Sequence, residues 1–277
     1  METILNRLKI HFTDTGERNL VPAVLLHAFP LSGEMWQPQI EALRGKARCI
    51  CPDHRGMGRS EGGDGQFTLE FLVDDLLALL DHLAVERAVL CGLSMGGYLA
   101  QRFHQRHPER VRGLILADTR SEADTDEGKL KRAAAMRLLK TQGIPAFAES
   151  FLPSAFTPAA IAAGTPAVEE ARRLIHANSL QGLLGALLAL ATRTDTTASL
   201  AAIRLPTLLL VGAKDTLTPP SVMEKMKGRI PGARYKVIPR AGHFSNMENP
   251  EAFNRQVILF LKSTGPRRSQ RRKRSRR

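Results

Sequence analysis

Residues 88–100 read AVLCGLSMGGYLA. The run opens as a buried strand does, with Ala88, Val89, Leu90 and Cys91. It then breaks into Gly92-Leu93-Ser94-Met95-Gly96-Gly97 before apolar spacing resumes. Glycine inside a regular element costs roughly 1 kcal/mol relative to alanine. Three glycines around one serine therefore mark a turn whose backbone larger residues would obstruct. A strand that turns there into a helix places Ser94 at the carboxyl edge of a sheet, where open α/β sheets bind ligands.

The rest of the chain supplies such a sheet. VPAVLLH (21–27), ARCIC (47–51), RAVLC (87–91), GLILAD (113–118), PTLLLV (206–211) and YKVI (235–238) are short and nearly all apolar. Runs of this kind suit parallel strands buried on both faces. Ahead of them Leu8, Ile10 and Phe12 alternate with Lys9, His11 and Thr13, the period of a half-exposed strand. Between the strands lie helical patterns. Leu69, Leu72, Val73, Leu76, Leu80 and Leu83 form one stripe, and a second helix runs from Ser94 to just before Pro108. Thr157-Pro158, Thr165-Pro166, Thr218-Pro219 and Asn249-Pro250 each set a capping side chain before a proline, and read as four further helix starts. The alternation predicts a doubly wound α/β fold with a mostly parallel, eight-stranded sheet and right-handed crossovers.

One interval breaks the rhythm. From Asp118 to Pro206 there is no good strand, and the stretch is too long for a loop. It reads as helices, among them 126–141, 166–178 and 180–191. The expected organisation is a core of residues 1–119 and 196–265, an inserted helical cap over 120–195, and a disordered basic tail over 266–277.

Composition narrows the class. The chain has 277 residues and is 43% hydrophobic, enough for one large α/β domain. Cys49, Cys51 and Cys91 are odd in number and sit in apolar runs, so they read as buried thiols with neither disulfide nor metal spacing. The N-terminus METILNRLKIHFTDTG lacks the apolar core of a signal peptide. The longest apolar run, LQGLLGALLALA (180–191), is too short to span a bilayer. A soluble, cytoplasmic protein is expected. Net charge is +13, but RRSQRRKRSRR (267–277) carries eight basic residues and no acid, which leaves +5 on the remainder. That tail reads either as a solvated end or as a contact for nucleic acid or an anionic surface. It has no interleaved aromatics for base stacking.

Gly92-Leu93-Ser94-Met95-Gly96 fits G-x-S-x-G between a strand and a helix, the nucleophile elbow. The same pattern would also suit a serine that merely caps the helix. A serine hydroxyl needs a base to take its proton. Of eight histidines, His243 lies in RAGHFSNMENP, on a loop after the last strand and at the same sheet edge. His104 and His107 end the Ser94 helix and face away, as do His11, His82 and His176, whereas His54 sits in a loop near that edge. The base in turn needs an acid. Asp215, in VGAKDTLTPP, and Asp118, in GLILADTR, both end strands there. Asp215 is favoured because it lies on the loop after the last strand before the histidine; Asp118 would then tie down the cap. Ser94, Asp215, His243 is the chain order of α/β-hydrolase triads. Oxyanion donors are expected from the backbone N–H of Met95 and, on the loop after VPAVLLH, of Phe29. Trp36, Tyr98, Leu184 and Leu187 are pocket candidates that also suit plain packing.

Four blocks in order, HAFPLSGEMW, DHRGMGRS, GLSMGGYLA and the VGAKDTLTPP/AGHFSNMENP pair, resemble the α/β-hydrolase superfamily of serine esterases and lactonases. The likeness runs from VPAVLLH to the helix after Asn249-Pro250. Residues 53–60 match its D-x-R-G-x-G-x-S loop, while His27-Ala28 departs from the His-Gly common at its oxyanion loop. A serine nucleophile separates the chain from the branches that use aspartate, and the subgroup resembles 3-oxoadipate enol-lactonase and cofactor-free haloperoxidase-like hydrolases. The resemblance implies a serine hydrolase of small, apolar carboxylic esters or lactones that works through an acyl-enzyme, without metal or cofactor. A hydrolase-shaped receptor with little or no turnover, or a perhydrolase or C–C hydrolase, would carry the same residues.

Overall fold

The computed structural model describes residues 1–264, so the basic segment 267–277 lies outside the described residues. In chain order the elements are β1 (Glu2–Leu5), β2 (Leu8–Asp14), β3 (Pro22–Leu26), α1 (Gln37–Leu43), β4 (Arg48–Pro52), α2 (Leu69–His82), β5 (Ala88–Leu93), α3 (Met95–Arg106) and β6 (Val111–Ala117). Then come four helices with no strand among them: α4 (Asp126–Ala155), α5 (Pro158–Ala163), α6 (Pro166–His176) and α7 (Leu180–Ala191). The described residues close with β7 (Thr207–Gly212), α8 (Pro220–Arg229), β8 (Arg234–Ile238), α9 (Ser245–Glu248) and α10 (Pro250–Thr264).

All eight strands join one sheet in the order β1-β2-β4-β3-β5-β6-β7-β8. Every pairing from β4 to β8 is parallel, and only β1–β2 and β2–β4 are antiparallel. The central strands β5 and β7 are buried along their whole length, because helices cover both sheet faces. The seven strands legible as apolar or alternating runs are all present. The eighth, β1, is too short and polar to signal itself. It pairs with β2 through a two-residue turn at Asn6-Arg7, both at positive φ (48° and 67°), as tight hairpin turns require.

Three helix expectations need correction. The helix read as 126–141 continues to Ala155, broken at Gly143, whose φ of 82° leaves the helical region. The helix read as 166–178 ends at His176. Thr218 does not start a helix; α8 begins at Pro220, because the Thr218 hydroxyl is engaged elsewhere. The other three Xaa-Pro pairs do start helices, with Thr157 accepting from the Ala160 N–H and Asn249 from the Ala252 N–H. Among the described residues no single helix is long and apolar enough to cross a membrane.

The turn after β5 explains its glycines. A Cβ on Gly96 would overlap the Leu26 main-chain carbonyl of β3, and one on Gly92 would overlap the Gly96 carbonyl. Both obstacles are backbone and cannot move aside. Gly96→Ala is therefore expected to cost about 3 kcal/mol or more, read as a fall in thermal midpoint together with loss of the folded fraction. A variant as stable as wild type would contradict this packing.

Two buried histidines brace the loops beside that turn. His27 Nδ1–H donates to the Ala28 carbonyl (3.0 Å), and its Nε2 accepts the His54 N–H (2.9 Å). The His54 ring stacks on His27 at 3.9 Å and reaches the His27 carbonyl through Nε2 (3.2 Å). Burial lowers the His27 pKa to about 4, despite the bond to Ala28, and pushes His54 well below the usual range, with the His27 ring adding to the effect. His54 is thus a brace on the loop that follows β3. A histidine kept neutral in the fold but protonated near pH 6.5 when unfolded contributes stability that is complete above about pH 6.5. That contribution is lost as pH falls toward about 4. Urea unfolding at pH 7.5 and 4.5 should register a loss on the order of 3 kcal/mol from His27. His27→Gln, whose carbonyl still accepts the His54 N–H, should flatten that part of the acid limb.

Candidate active site

Ser94 stands between β5 and α3 at φ 51° and ψ −110°, a conformation costing about 1–3 kcal/mol that only tight surroundings maintain. Its N–H donates to the Ala117 carbonyl (3.0 Å), and its own carbonyl accepts from the Thr119 hydroxyl (2.9 Å) and from the Gly97 and Tyr98 N–H groups. The first amide of the helix, that of Met95, is left over, as helix geometry dictates. Among the described residues neither the Met95 N–H nor the Phe29 N–H donates a hydrogen bond, and the Ser94 hydroxyl makes none.

Asp215 lies on the loop after β7. Its Oδ1 accepts the Leu217 and Thr218 N–H groups (2.8 and 2.9 Å), and its Oδ2 accepts the Thr218 hydroxyl (2.6 Å) and His243 Nδ1 (2.9 Å). Both residues are buried, at 3% and 2% exposure. Burial opposes the charged carboxylate, but the His243 ring and the Thr218 donors outweigh it and hold the Asp215 pKa at about 2. A charged carboxylate on Nδ1 places the ring proton there and leaves Nε2 as the basic nitrogen. His243 is itself anchored through its main chain, its N–H donating to the Ala155 carbonyl at the end of α4 (2.8 Å).

Asp118 is also buried, but among the described residues it makes no bond to the His243 ring. It accepts the Gly212 N–H (2.7 Å) and the Ser245 hydroxyl, and so ties the ends of β6 and β7 to the turn after His243. The expectation that it would tie down the inserted helices is therefore corrected. Burial first, and the Asp215 charge second, push its pKa well above the carboxylate range.

Ser94 and His243 open on one cavity of about 840 Å³, enclosed by the sheet edge and the inserted helices. Of the pocket candidates, Tyr98 and Leu187 line it, and the Phe29 side chain lines it as well. Trp36 and Leu184 do not. Trp36 is fully buried against Phe253 of α10, its ring centroid 6.0 Å away, and belongs to the core. Leu184 lies on the same helical face as Leu180 and Leu188, which are exposed, whereas Leu187 and Leu190 turn inward. Phe147 and Phe151, four residues apart on α4, complete an aromatic wall with Phe29. Their helical spacing was the available signal.

Three further residues were not legible. Thr218, disguised as a helix start, bridges Asp215 and His243. Asn178 donates to the Pro30 carbonyl (2.8 Å) and accepts the Gly58 N–H (2.7 Å), which joins the α6–α7 turn to the loops carrying Phe29 and residues 53–60. Glu248 accepts the Gly242 N–H (2.7 Å) and the Thr157 hydroxyl, which joins the His243 loop to the start of α5.

Comparison with known proteins agrees with this architecture. Residues 22–250 match the family model for the alpha/beta hydrolase fold. The chain is 30% identical over 253 residues to 3-oxoadipate enol-lactonase 2 of Acinetobacter baylyi, covering 91% of this chain and 93% of that protein. A putative carbamate hydrolase from a Caulobacter species is 32% identical over 258 residues, covering 91% and 94%. Among solved structures, a thermophilic esterase from Thermogutta terrifontis superposes with a TM-score of 0.91 at 35% identity, covering 96% of this chain and 99% of that one. The enol-lactonase from Burkholderia xenovorans gives 0.87 at 30% identity, covering 95% and 100%. The eight-stranded sheet, the strained serine turn and these likenesses converge: the chain belongs to the alpha/beta hydrolase family.

Proposed function

We propose that this hydrolase cleaves carboxylic esters or lactones of small substrates with apolar bodies, through an acyl-enzyme on Ser94. The observation that carries the reading is the 2.9 Å contact between His243 Nδ1 and Asp215, both buried, with the ring and Ser94 on one cavity. His243 Nε2 takes the Ser94 proton as the hydroxyl attacks the carbonyl. Asp215 orients the ring and stabilises the imidazolium. The unengaged N–H groups of Met95 and Phe29 receive the oxyanion, as the positive end of α3 favours. His243 then protonates the leaving alkoxide and activates water to release the acid. The names of the relatives, an enol-lactonase and an esterase, support ester and lactone chemistry.

A fluorophosphonate probe should label the wild type on Ser94, and Ser94→Ala should lose both the label and p-nitrophenyl acetate turnover, by on the order of 10⁵-fold. Labelling that persists in the variant would transfer the nucleophile elsewhere. Asp215→Asn should lower kcat on the order of 10⁴-fold, since the ring loses its oriented tautomer. Asp118→Asn keeps one acceptor, for the Gly212 N–H, and turns an NH2 donor toward the Ser245 hydroxyl, which can accept from it, so it should cost far less. The reverse ranking of these two variants would make Asp118 the acid.

A further inference from the structure

We propose that Arg120 selects substrates that carry a free carboxylate at the end remote from the scissile bond, which makes the preferred class anionic carboxylic esters rather than neutral ones. The proposal rests on the ester-hydrolase reading above and adds to it the charge of the substrate.

The cavity wall is apolar near Ser94, where Phe29, Tyr98, Phe147, Phe151, Leu187 and Leu190 face it. Three cationic side chains also line it: Arg120, Lys131 and Arg132. Two of them are neutralised by the wall's own acids. Lys131 pairs with Glu127 at 2.7 Å, and Arg132 with Asp124 at 3.2 Å, an acid that also pairs with Arg193 at 2.7 Å. Arg120 has no carboxylate within ion-pair distance among the described residues, and residues 265–277 bring no acidic side chain. Its guanidinium donates one hydrogen bond, from Nη2 to the Leu217 carbonyl at 2.5 Å. A guanidinium has five N–H donors in a rigid fork, so a face suited to a carboxylate remains open on the cavity.

Its placement fits that task. Arg120 follows Thr119, whose hydroxyl bonds the Ser94 carbonyl, and it touches Leu217, next to the Thr218 that bonds Asp215. The charge therefore sits along the cavity between the serine turn and the acid loop. A partly buried guanidinium without a counter-charge is costly, and an anionic substrate end relieves that cost while fixing which way the substrate lies.

The test uses monophenyl esters of adipic and pimelic acids, each beside a neutral isostere in which isopropyl replaces the carboxylate. The wild type should favour the anionic ester in kcat/KM, less so as salt is raised. Arg120→Gln should lower the anionic-to-neutral ratio about ten- to hundredfold, the range for one or two charge-assisted hydrogen bonds. Arg120→Lys should recover part of it. A wild type without the preference, or a ratio unchanged in Arg120→Gln, overturns the proposal; a merely structural Arg120 would lower Tm and both rates together, with the ratio intact. If Arg120→Gln fails to fold, the wild-type ratio and Arg120→Lys decide. Calorimetric binding of pimelate to Ser94→Ala, abolished by adding Arg120→Gln, does not depend on Ser94 chemistry. It separates failure of this proposal from failure of the nucleophile assignment.

Discussion

The backbone at Ser94 is confined from two sides. Gly96 lies against the Leu26 carbonyl of β3 and Gly92 against the Gly96 carbonyl, at distances that leave no room for a methyl group. Within that packing the chain leaves the strand and enters the helix in one residue, and Ser94 takes a positive φ that a free chain would avoid. The cost is met by the cooperative packing of β3, β5, β6 and α3 around it. From this one constraint follow the opening of Ser94 onto the cavity at the sheet edge and the unengaged Met95 amide.

Polar groups at that edge are distributed so that two buried carboxylates do not compete. Asp118 and Asp215 end neighbouring strands, and like charges so placed cannot both ionise cheaply. Asp215 receives two backbone amides, a hydroxyl and the His243 ring, and its charged form is favoured. Asp118 receives one amide and one hydroxyl in full burial, and its neutral form is favoured. The number and kind of donors therefore separate two residues that look alike in the sequence.

The helices between β6 and β7 are more than a cover. The Ala155 carbonyl at the end of α4 accepts the His243 N–H, Glu248 joins the histidine loop to Thr157, and Asn178 joins the α6–α7 turn to Pro30 and Gly58. Each bond links an inserted helix or turn to a loop of the sheet edge. The cavity and its rim are thus tied together by hydrogen bonds between the inserted helices and the loops of the sheet edge.

Periodicity and local chemistry carried much of this protein in the one-dimensional text. Apolar runs marked the parallel strands because a strand covered on both faces must be apolar throughout. The glycines marked the serine turn because a Cβ is excluded there, and the chain order of serine, aspartate and histidine located the loops that meet. What these signals share is that each is enforced within a few residues. The short polar strand β1, the inward rotation of Leu187 but not Leu184, the removal of Trp36 to the core and the diversion of Thr218 from helix start to carboxylate partner had no such signature. They were decided by which surfaces came to lie against each other, since a contact between residues 25 or 200 positions apart leaves no period in the sequence that makes it.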